Sequence, residues 1–151
     1  MRNKIDAIRL RHILLRLGFA VCLFLSQFTS DRLTWFTDNT TMIIIGVILT
    51  VAGILLWVWA AIWLRRTKSF KGFTESGPFK YIRHPIYTSI YILCVGLGLI
   101  FFAWLWFVAM IIFMPLWYLE GKEEEKRMSE LHGQKYADYK ARTGMFLLKI
   151  W

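Results

Sequence analysis

The chain has 151 residues, of which 57% are hydrophobic and 19% charged, and its formal net charge is +9. A soluble domain is nearer half apolar and about a quarter charged, so this composition excludes a disordered chain and argues against a water-soluble globule. At about 20 residues per crossing, the apolar blocks leave room for three to five membrane crossings. We predict a single integral membrane domain, residues 1–151. Its basic residues lie beside apolar blocks, where they set topology, so we expect no nucleic acid partner.

The first apolar segment, residues 13–29, follows a basic stretch and is predicted to be a transmembrane helix. A cleaved signal peptide is the alternative interpretation, since a basic start and a short apolar core also fit one. Arg16 interrupts that core and no A-x-A-like cleavage site follows, which favours the helix. Arg16 lies one turn inside it, where its side chain can snorkel to the headgroups.

The next two apolar blocks predict three more crossings. Residues 41–64 carry no charge and would reach about 36 Å as a helix, a full span. Residues 86–119 are also uncharged and would reach about 51 Å, too long for one crossing. We predict a tight hairpin of two helices, 86–100 and 103–119. Gly96 and Gly98 precede its turn and indicate close helix packing rather than a phosphate-binding loop.

The distribution of Lys and Arg predicts the topology. The N-terminal stretch has four, the first loop one, the middle loop six, the hairpin tip none and the C-terminal tail seven. Four crossings place every rich segment on one side, which the positive-inside rule makes cytoplasmic. We predict an all-α, polytopic membrane helical bundle with both termini in the cytoplasm, and expect it in a prokaryotic cytoplasmic membrane.

The tail, residues 120–142, is predicted to be a cytosolic amphipathic helix lying on the membrane or on the bundle. Its apolar and aromatic residues recur at three-to-four spacing: Met128, Leu131, His132, Tyr136 and Tyr139. Cys22 and Cys94 lie inside apolar runs and do not suggest a disulfide or zinc site. With three dispersed histidines, we expect no metal site.

Two polar clusters are predicted to face the same compartment beside the membrane, residues 77–87 and residues 120–127. A hairpin joins them, so their helix mouths would lie within roughly 10 Å. An arginine, a histidine, two tyrosines and several carboxylates would then meet at the water–lipid boundary. Such a pocket suits a polar, partly cationic cofactor and a lipophilic substrate that arrives from the bilayer.

Both clusters carry motifs of a known family. The stretches GPFKYIRHPIYTSIY and EEEKRMSELHGQKYADYKAR, with the hydrophobic hairpin between them, resemble the C-terminal half of the isoprenylcysteine carboxyl methyltransferase family, among the phospholipid-methyltransferase-like membrane methyltransferases. The likeness covers about half the chain. The residues that match the motifs are Arg83, His84, Pro85, Tyr87, Glu124, Glu125, Tyr136 and Tyr139. The departures are Ser89 for glycine, Met128 for leucine, His132 for an aromatic residue, and Leu147-Leu148 for a closing Leu-Pro.

The resemblance implies S-adenosylmethionine as cofactor, S-adenosylhomocysteine as product, and no Rossmann domain; indeed no G-x-G-x-x-G opens a helix here. The residues implied in catalysis are Arg83, His84 and Glu124. Those implied in cofactor binding are Tyr81, His84, Pro85, Tyr87, Glu124 and Glu125. The carboxylates suit the sulfonium, ammonium and ribose of the cofactor, and an arginine suits its carboxylate.

The acceptor implied is a lipophilic small molecule or lipidated substrate: an isoprenylcysteine carboxylate, a phospholipid amine, or a hydrophobic thiol or acid. A carboxylate needs no general base, whereas an amine or hydroxyl does, and His84 or a glutamate can then serve.

Other interpretations of the motifs and of the function stay open. The Arg83-His84-Pro85 sequence also suits a positive-inside anchor at a helix start, and the Glu123–Glu125 run also suits a solvated helix start. Tyr136 and Tyr139 also suit packing. The RHPxY element also occurs in sterol reductases, so an NADPH-dependent membrane reductase is one alternative function. A non-enzymatic membrane scaffold is the other. The sequence gives no prediction of oligomeric state.

Overall fold

A computed structural model describes residues 17–25, 39–66 and 73–149, and within these ranges the chain is helical without any strand. The elements are α1 (17–25), α2 (Asn39–Arg66), a 3₁₀ turn (Gly77–Lys80), α3 (Pro85–Phe101), α4 (Trp104–His132) and α5 (Gln134–Arg142). The predicted all-α class is confirmed. Helix α1 lies inside the predicted first crossing, whereas Arg16 and the other residues of that segment lie outside the described ranges.

Two of the described helices are long and apolar enough to cross a membrane: α2 from Thr40 to Arg66 and α4 from Leu105 to His132. Only 11% of the most apolar window of α2 is buried, so most of its apolar side chains face outward, as lipid contact requires. Helix α3 is apolar but shorter, with 17 residues. The two long helices support a membrane protein, and four crossings with cytoplasmic ends stay a prediction.

Helices α2 and α3 meet along a seam of small residues, formed by Gly46 and Gly53 on α2 and by Ser89 and Gly96 on α3. A Cβ atom added to Gly96 would lie 2.6 Å from the Gly46 carbonyl oxygen, and one added to Gly53 would lie 2.9 Å from that of Ser89. The backbones therefore touch, as predicted for Gly96. Ser89 is fully buried and donates its hydroxyl to Ile86, 2.7 Å away.

A two-residue turn joins α3 to α4, as the length of the apolar block predicts. Phe102 adopts a left-handed conformation with φ of 53°, and the Ala103 amide donates to the Gly98 carbonyl at 3.2 Å. This capping arrangement usually holds a glycine, so an aromatic residue there is strained. The tight turn starts α4 beside the end of α3.

The predicted break between a crossing at 103–119 and a separate cytosolic helix at 120–142 is wrong. Helix α4 continues from Trp104 to His132, and α5 begins only after Gly133, whose φ is +55°. Gly121 is accommodated within the helix because strong helix formers dominate residues 122–131, and the helix ends only where Gly133 takes a positive φ. The Glu123–Glu125 run is therefore inside a helix and not at its start. Beyond Leu119 the helix is charged, and a membrane crossing that ends there stays a prediction.

Aromatic side chains from α1, α3 and α4 form the core beside the site. The Trp117 ring lies 5.2 Å from Phe19 and 5.3 Å from Tyr87, both in edge-on contacts. Cys94 is buried in this core and Cys22 is exposed, and both are free thiols. The core fixes the end of α3 that carries the polar motif against the middle of α4.

Candidate active site

The first motif is placed by a turn that only glycine allows. Gly77 has φ of +61°, and a Cβ atom there would collide with the Trp63 ring at the end of α2. The chain then passes through a 3₁₀ turn and the N-cap residue His84 into α3, which begins with Pro85. The side chains of Arg83 and His84 are thus directed toward α4.

The second motif reaches the first because α4 runs on without a break. Glu124 and Glu125 follow each other on the helix and therefore point in different directions. Glu124 Oε1 accepts a hydrogen bond of 2.9 Å from the Tyr87 hydroxyl, and Glu125 Oε1 accepts one of 2.6 Å from Arg83 Nε. Each glutamate therefore accepts a side-chain hydrogen bond from the first motif.

His84 lies between these two carboxylates. Its Nδ1 is 3.5 Å from Glu124 Oε2, and its Nε2 is 3.7 Å from Glu125 Oε1. The imidazole is 10% exposed, and Nε2 has no hydrogen-bond partner among the described residues. Both contacts are too long to be strong hydrogen bonds, so the imidazole retains donor or acceptor capacity for a bound molecule.

Glu125 forms buried ion pairs with Arg83 and Lys140, and we call this group of three residues the anchor. Its carboxylate is 2% exposed, and Lys140 Nζ lies 2.9 Å from Oε2. Burial raises the pKa of Glu125, but the nearby donor groups of His84, Lys140 and Arg83 and the charge of Arg83 outweigh it and lower the pKa to about 2. The carboxylate is therefore charged, and it does not line the cavity described below.

Arg83 is also occupied inside the protein. Besides Glu125, its guanidinium donates through Nη1 to the carbonyl oxygens of Thr143 and, at 3.1 Å, Lys140. These contacts favour a structural role for Arg83 over the predicted contact with a cofactor carboxylate. They also tie the motif to the chain that follows α5.

A cavity of about 520 Å³ opens beside the two motifs, a size typical of small-molecule sites. One part of its wall is polar and includes Thr74, Arg83, His84, Tyr87, Glu124, Tyr136 and Tyr139. The rest is apolar and includes Phe19, Leu64, Phe73, Phe79, Pro85, Ile86, Ile90, Trp117 and Met128. Both walls face one space, so a ligand there would contact polar and apolar groups together.

Tyr136 and Tyr139 serve both packing and the cavity wall. The Tyr139 hydroxyl donates to the Phe79 carbonyl at 2.6 Å, and both rings contact Phe73. Burial first, and then the charge of Glu125, raises the pKa of Tyr136 to about 12, and burial also raises that of Tyr139. Both phenols are therefore neutral.

The structure brings together most of the residues that the sequence predicts, but not Tyr81. Its side chain is 52% exposed and lies on a separate apolar groove of about 230 Å³. Sequence reasoning missed Phe19, Phe73 and Trp117 as wall residues, since an aromatic residue beside or within an apolar segment gives no sign of which face it occupies. Among the described residues, no group of three metal-binding side chains comes together.

The comparison with known proteins agrees with the motifs. The model of the phospholipid methyltransferase family matches residues 41–135, which is more than half of the chain and includes both glutamates and the RHP sequence. No curated protein and no solved structure matches the chain. The resemblance found in the sequence is confirmed: this chain belongs to the phospholipid methyltransferase family, a family of methyltransferases that act on membrane lipid-like substrates.

Proposed function

We propose that the protein is an S-adenosylmethionine-dependent methyltransferase whose lipophilic acceptor enters the cavity from the membrane. The observation that carries this proposal is the cavity's mixed wall. His84, Tyr87 and Glu124 form its polar side, while Phe19 and Trp117, on helices of the apolar core, form its apolar side. A polar cofactor and a lipid acceptor need such a shared space.

The polar wall fits the chemistry of this cofactor, which would supply a methyl group activated by a sulfonium centre. Glu124 is 35% exposed, and its carboxylate offers negative charge toward a cation. Tyr87 and Trp117 add aromatic faces that attract cations. His84 has an unpartnered Nε2, among the described residues, as a hydrogen-bonding atom. We propose that these side chains and Pro85, the first residue of α3, bind the cofactor.

Arg83 and Glu125 support the site from behind. Because Glu125 pairs with Arg83, the two residues keep the motif and α4 in register, and the buried carboxylate offsets the charge of the guanidinium. The apolar wall excludes water and aligns the reactants, which is the main contribution a protein makes to an in-line displacement.

Among the acceptors left open by the sequence, we propose the phospholipid amine. Arg83 is already paired with Glu125, whereas the carboxylate of Glu124 lines the cavity, where it would repel a carboxylate acceptor and attract an ammonium. An ammonium must give up a proton to a base before its nitrogen lone pair can accept a methyl group. Glu124 and His84, with Oε2 and Nδ1 3.5 Å apart, lie where a general base is needed.

We propose that the polar side of the cavity faces the cytoplasm. In the sequence, the basic residues of the middle loop and tail adjoin the two motifs, and the positive-inside rule assigns such segments to the cytoplasm. With four crossings both termini lie there too. This orientation gives the cofactor access from water and the acceptor access from the bilayer.

The test is calorimetric titration of the detergent-purified protein with S-adenosylhomocysteine, with NADPH in parallel. We expect saturable micromolar binding of S-adenosylhomocysteine, lost in Glu124→Gln and in His84→Ala. Glu130→Gln is the matched control, because Glu130 is exposed on the same helix and does not line the cavity. Absence of binding to a folded sample would refute the proposal, and binding of NADPH instead would support a reductase.

A further inference from the structure

The chain that follows α5 crosses the RHP motif as a strap, residues Thr143–Phe146. Ile82 pairs with Gly144 in a single parallel bridge. The Arg83 amide donates to the Gly144 carbonyl at 2.9 Å, and the His84 amide donates to the Met145 carbonyl at 3.0 Å. The two motif residues are therefore hydrogen-bonded through their backbones to a segment about sixty residues further along the chain.

Thr88 fixes the end of this strap. Its hydroxyl lies 2.7 Å from the Phe146 carbonyl oxygen and 3.2 Å from the His84 carbonyl oxygen. A threonine hydroxyl has one hydrogen to donate, and the shorter contact is the better bond. The His84 carbonyl already accepts the Thr88 amide at 3.1 Å, so the helix keeps its own hydrogen bond without the hydroxyl. Thr88 is not part of the cavity wall.

The strap also covers the imidazole with an aromatic ring. The Phe146 ring centre is 5.5 Å from that of His84 and 6.3 Å from that of Tyr87. Gly121 on α4 makes room for this layer, since a Cβ atom there would lie 2.7 Å from Met145 Cε and 3.3 Å from Phe146 Cζ. The strap is thus enclosed between α4 and the motif.

We infer that Thr88 and Phe146 are positioning residues that act through the strap to set the orientation of the His84 imidazole in the cavity. His84 needs such support, because its contacts of 3.5 and 3.7 Å with the two glutamates are too long to fix the ring. The strap supplies what these contacts lack: a hydrogen bond to the His84 amide and a ring against the imidazole. The inference rests on the proposed function only for the identity of the ligand that His84 binds.

The test uses nuclear magnetic resonance of protein labelled in its histidines. The chain has three of them, His12, His84 and His132, and a His84→Gln variant assigns the signal of His84. Thr88→Val preserves the shape of the side chain and removes the hydroxyl, whereas Thr88→Ser retains it. We expect the His84 signal to shift in Thr88→Val and to return in Thr88→Ser, with the His132 signal constant throughout.

Binding provides the second measurement. We expect S-adenosylhomocysteine affinity to fall about three- to tenfold in Thr88→Val, the range for one lost hydrogen bond, and to recover in Thr88→Ser. Phe146→Leu keeps an apolar side chain but loses the ring, and we expect a fall of similar size at unchanged thermal stability. Leu148→Ala is the control, since Leu148 follows the strap and is 64% exposed.

An unchanged His84 signal in Thr88→Val, with unchanged affinity in Phe146→Leu, would overturn the inference. A shift that Thr88→Ser does not reverse would also overturn it, because the hydroxyl would then not be the cause. A shift that Thr88→Ser does reverse supports the positioning role even if the wild type binds no S-adenosylhomocysteine. That last result would refute the proposed function alone, so the two failures are distinguishable.

Discussion

The seam joins α2 to α3, and the anchor joins the segment just before α3 to α4 and α5, so the same helix is held by opposite means. At the seam, backbones touch because Gly46, Gly53 and Gly96 lack side chains. At the anchor, Arg83 and Glu125 are charged, buried and 2.6 Å apart. Close packing holds the seam together within the apolar part of the protein, whereas ion pairs hold the anchor together at its polar side.

The two regions differ in whether they contain titratable groups. A contact between backbones has no titratable group and does not depend on pH or on a bound molecule. A buried ion pair needs both partners, and the loss of one leaves the other charged and unsolvated. We therefore expect variants of the two regions to differ in size of effect, in pH dependence and in their consequence for binding.

The largest effect is expected for Glu125→Ala. This change leaves Arg83 and Lys140 without their shared carboxylate, and breaking a buried pair in this way typically costs about 3–5 kcal/mol. We expect a strongly lowered unfolding temperature in detergent and a low yield of folded protein. Glu130→Gln, on the exposed face of the same helix, should unfold like the wild type. Equal stability of both variants would contradict a structural role for the anchor.

The pH dependence of stability should follow from the same carboxylate. Its pKa in the folded protein is about 2, below the value of about 4.3 for an unfolded glutamate, so its stabilisation is complete above pH 4.3. It is lost as the pH falls toward 2, because the unfolded chain then binds the proton more readily. We expect the unfolding temperature of the wild type to fall by several degrees between pH 5 and pH 2.5, measured as a difference from Glu125→Gln.

At the seam, Gly53→Ala should destabilise the protein without altering that pH dependence. The added Cβ atom would lie 2.7 Å from the Leu93 amide nitrogen and 2.9 Å from the Ser89 carbonyl oxygen, and backbone atoms cannot move aside locally. Forcing extra volume into a close-packed contact costs about 1–3 kcal/mol. Gly18→Ala is the control, because its Cβ atom would be in ordinary contact, 3.8 Å from Phe113. A changed pH profile in Gly53→Ala would show that the two regions are not independent.

The hairpin of α3 and α4 was easier to predict from the sequence than either the seam or the anchor. An uncharged block of 34 residues is too long for one crossing, and that length alone predicts the hairpin that includes Gly96. The two motifs likewise predict that His84 and Glu124 come together. No comparable signal exists for the continuation of α4 to His132, because helix formers and charges at residues 120–132 suit a separate surface helix equally well.

The division of tasks between neighbouring residues also lies beyond the sequence. Glu124 and Glu125 have the same side chain, and only the rotation of α4 decides that one faces the cavity while the other is buried in the anchor. The strap is similar, since Gly144 and Met145 meet the motif through backbone atoms that every residue possesses. Contacts made by the backbone leave no signature in residue types.

The smallest effect is expected for Tyr87→Phe, which separates holding the fold from shaping the cavity. The ring contacts with Trp117 and His84 persist, whereas the 2.9 Å hydrogen bond to Glu124 is lost. Glu124 is partly exposed, so water replaces the hydroxyl and we expect the unfolding temperature to stay close to that of the wild type. Affinity for S-adenosylhomocysteine should still fall about three- to tenfold, because the carboxylate loses the bond that orients it. Calorimetric titration and thermal unfolding of the same sample measure both quantities, and a fall in stability without a fall in affinity would assign Tyr87 to the core instead of the site.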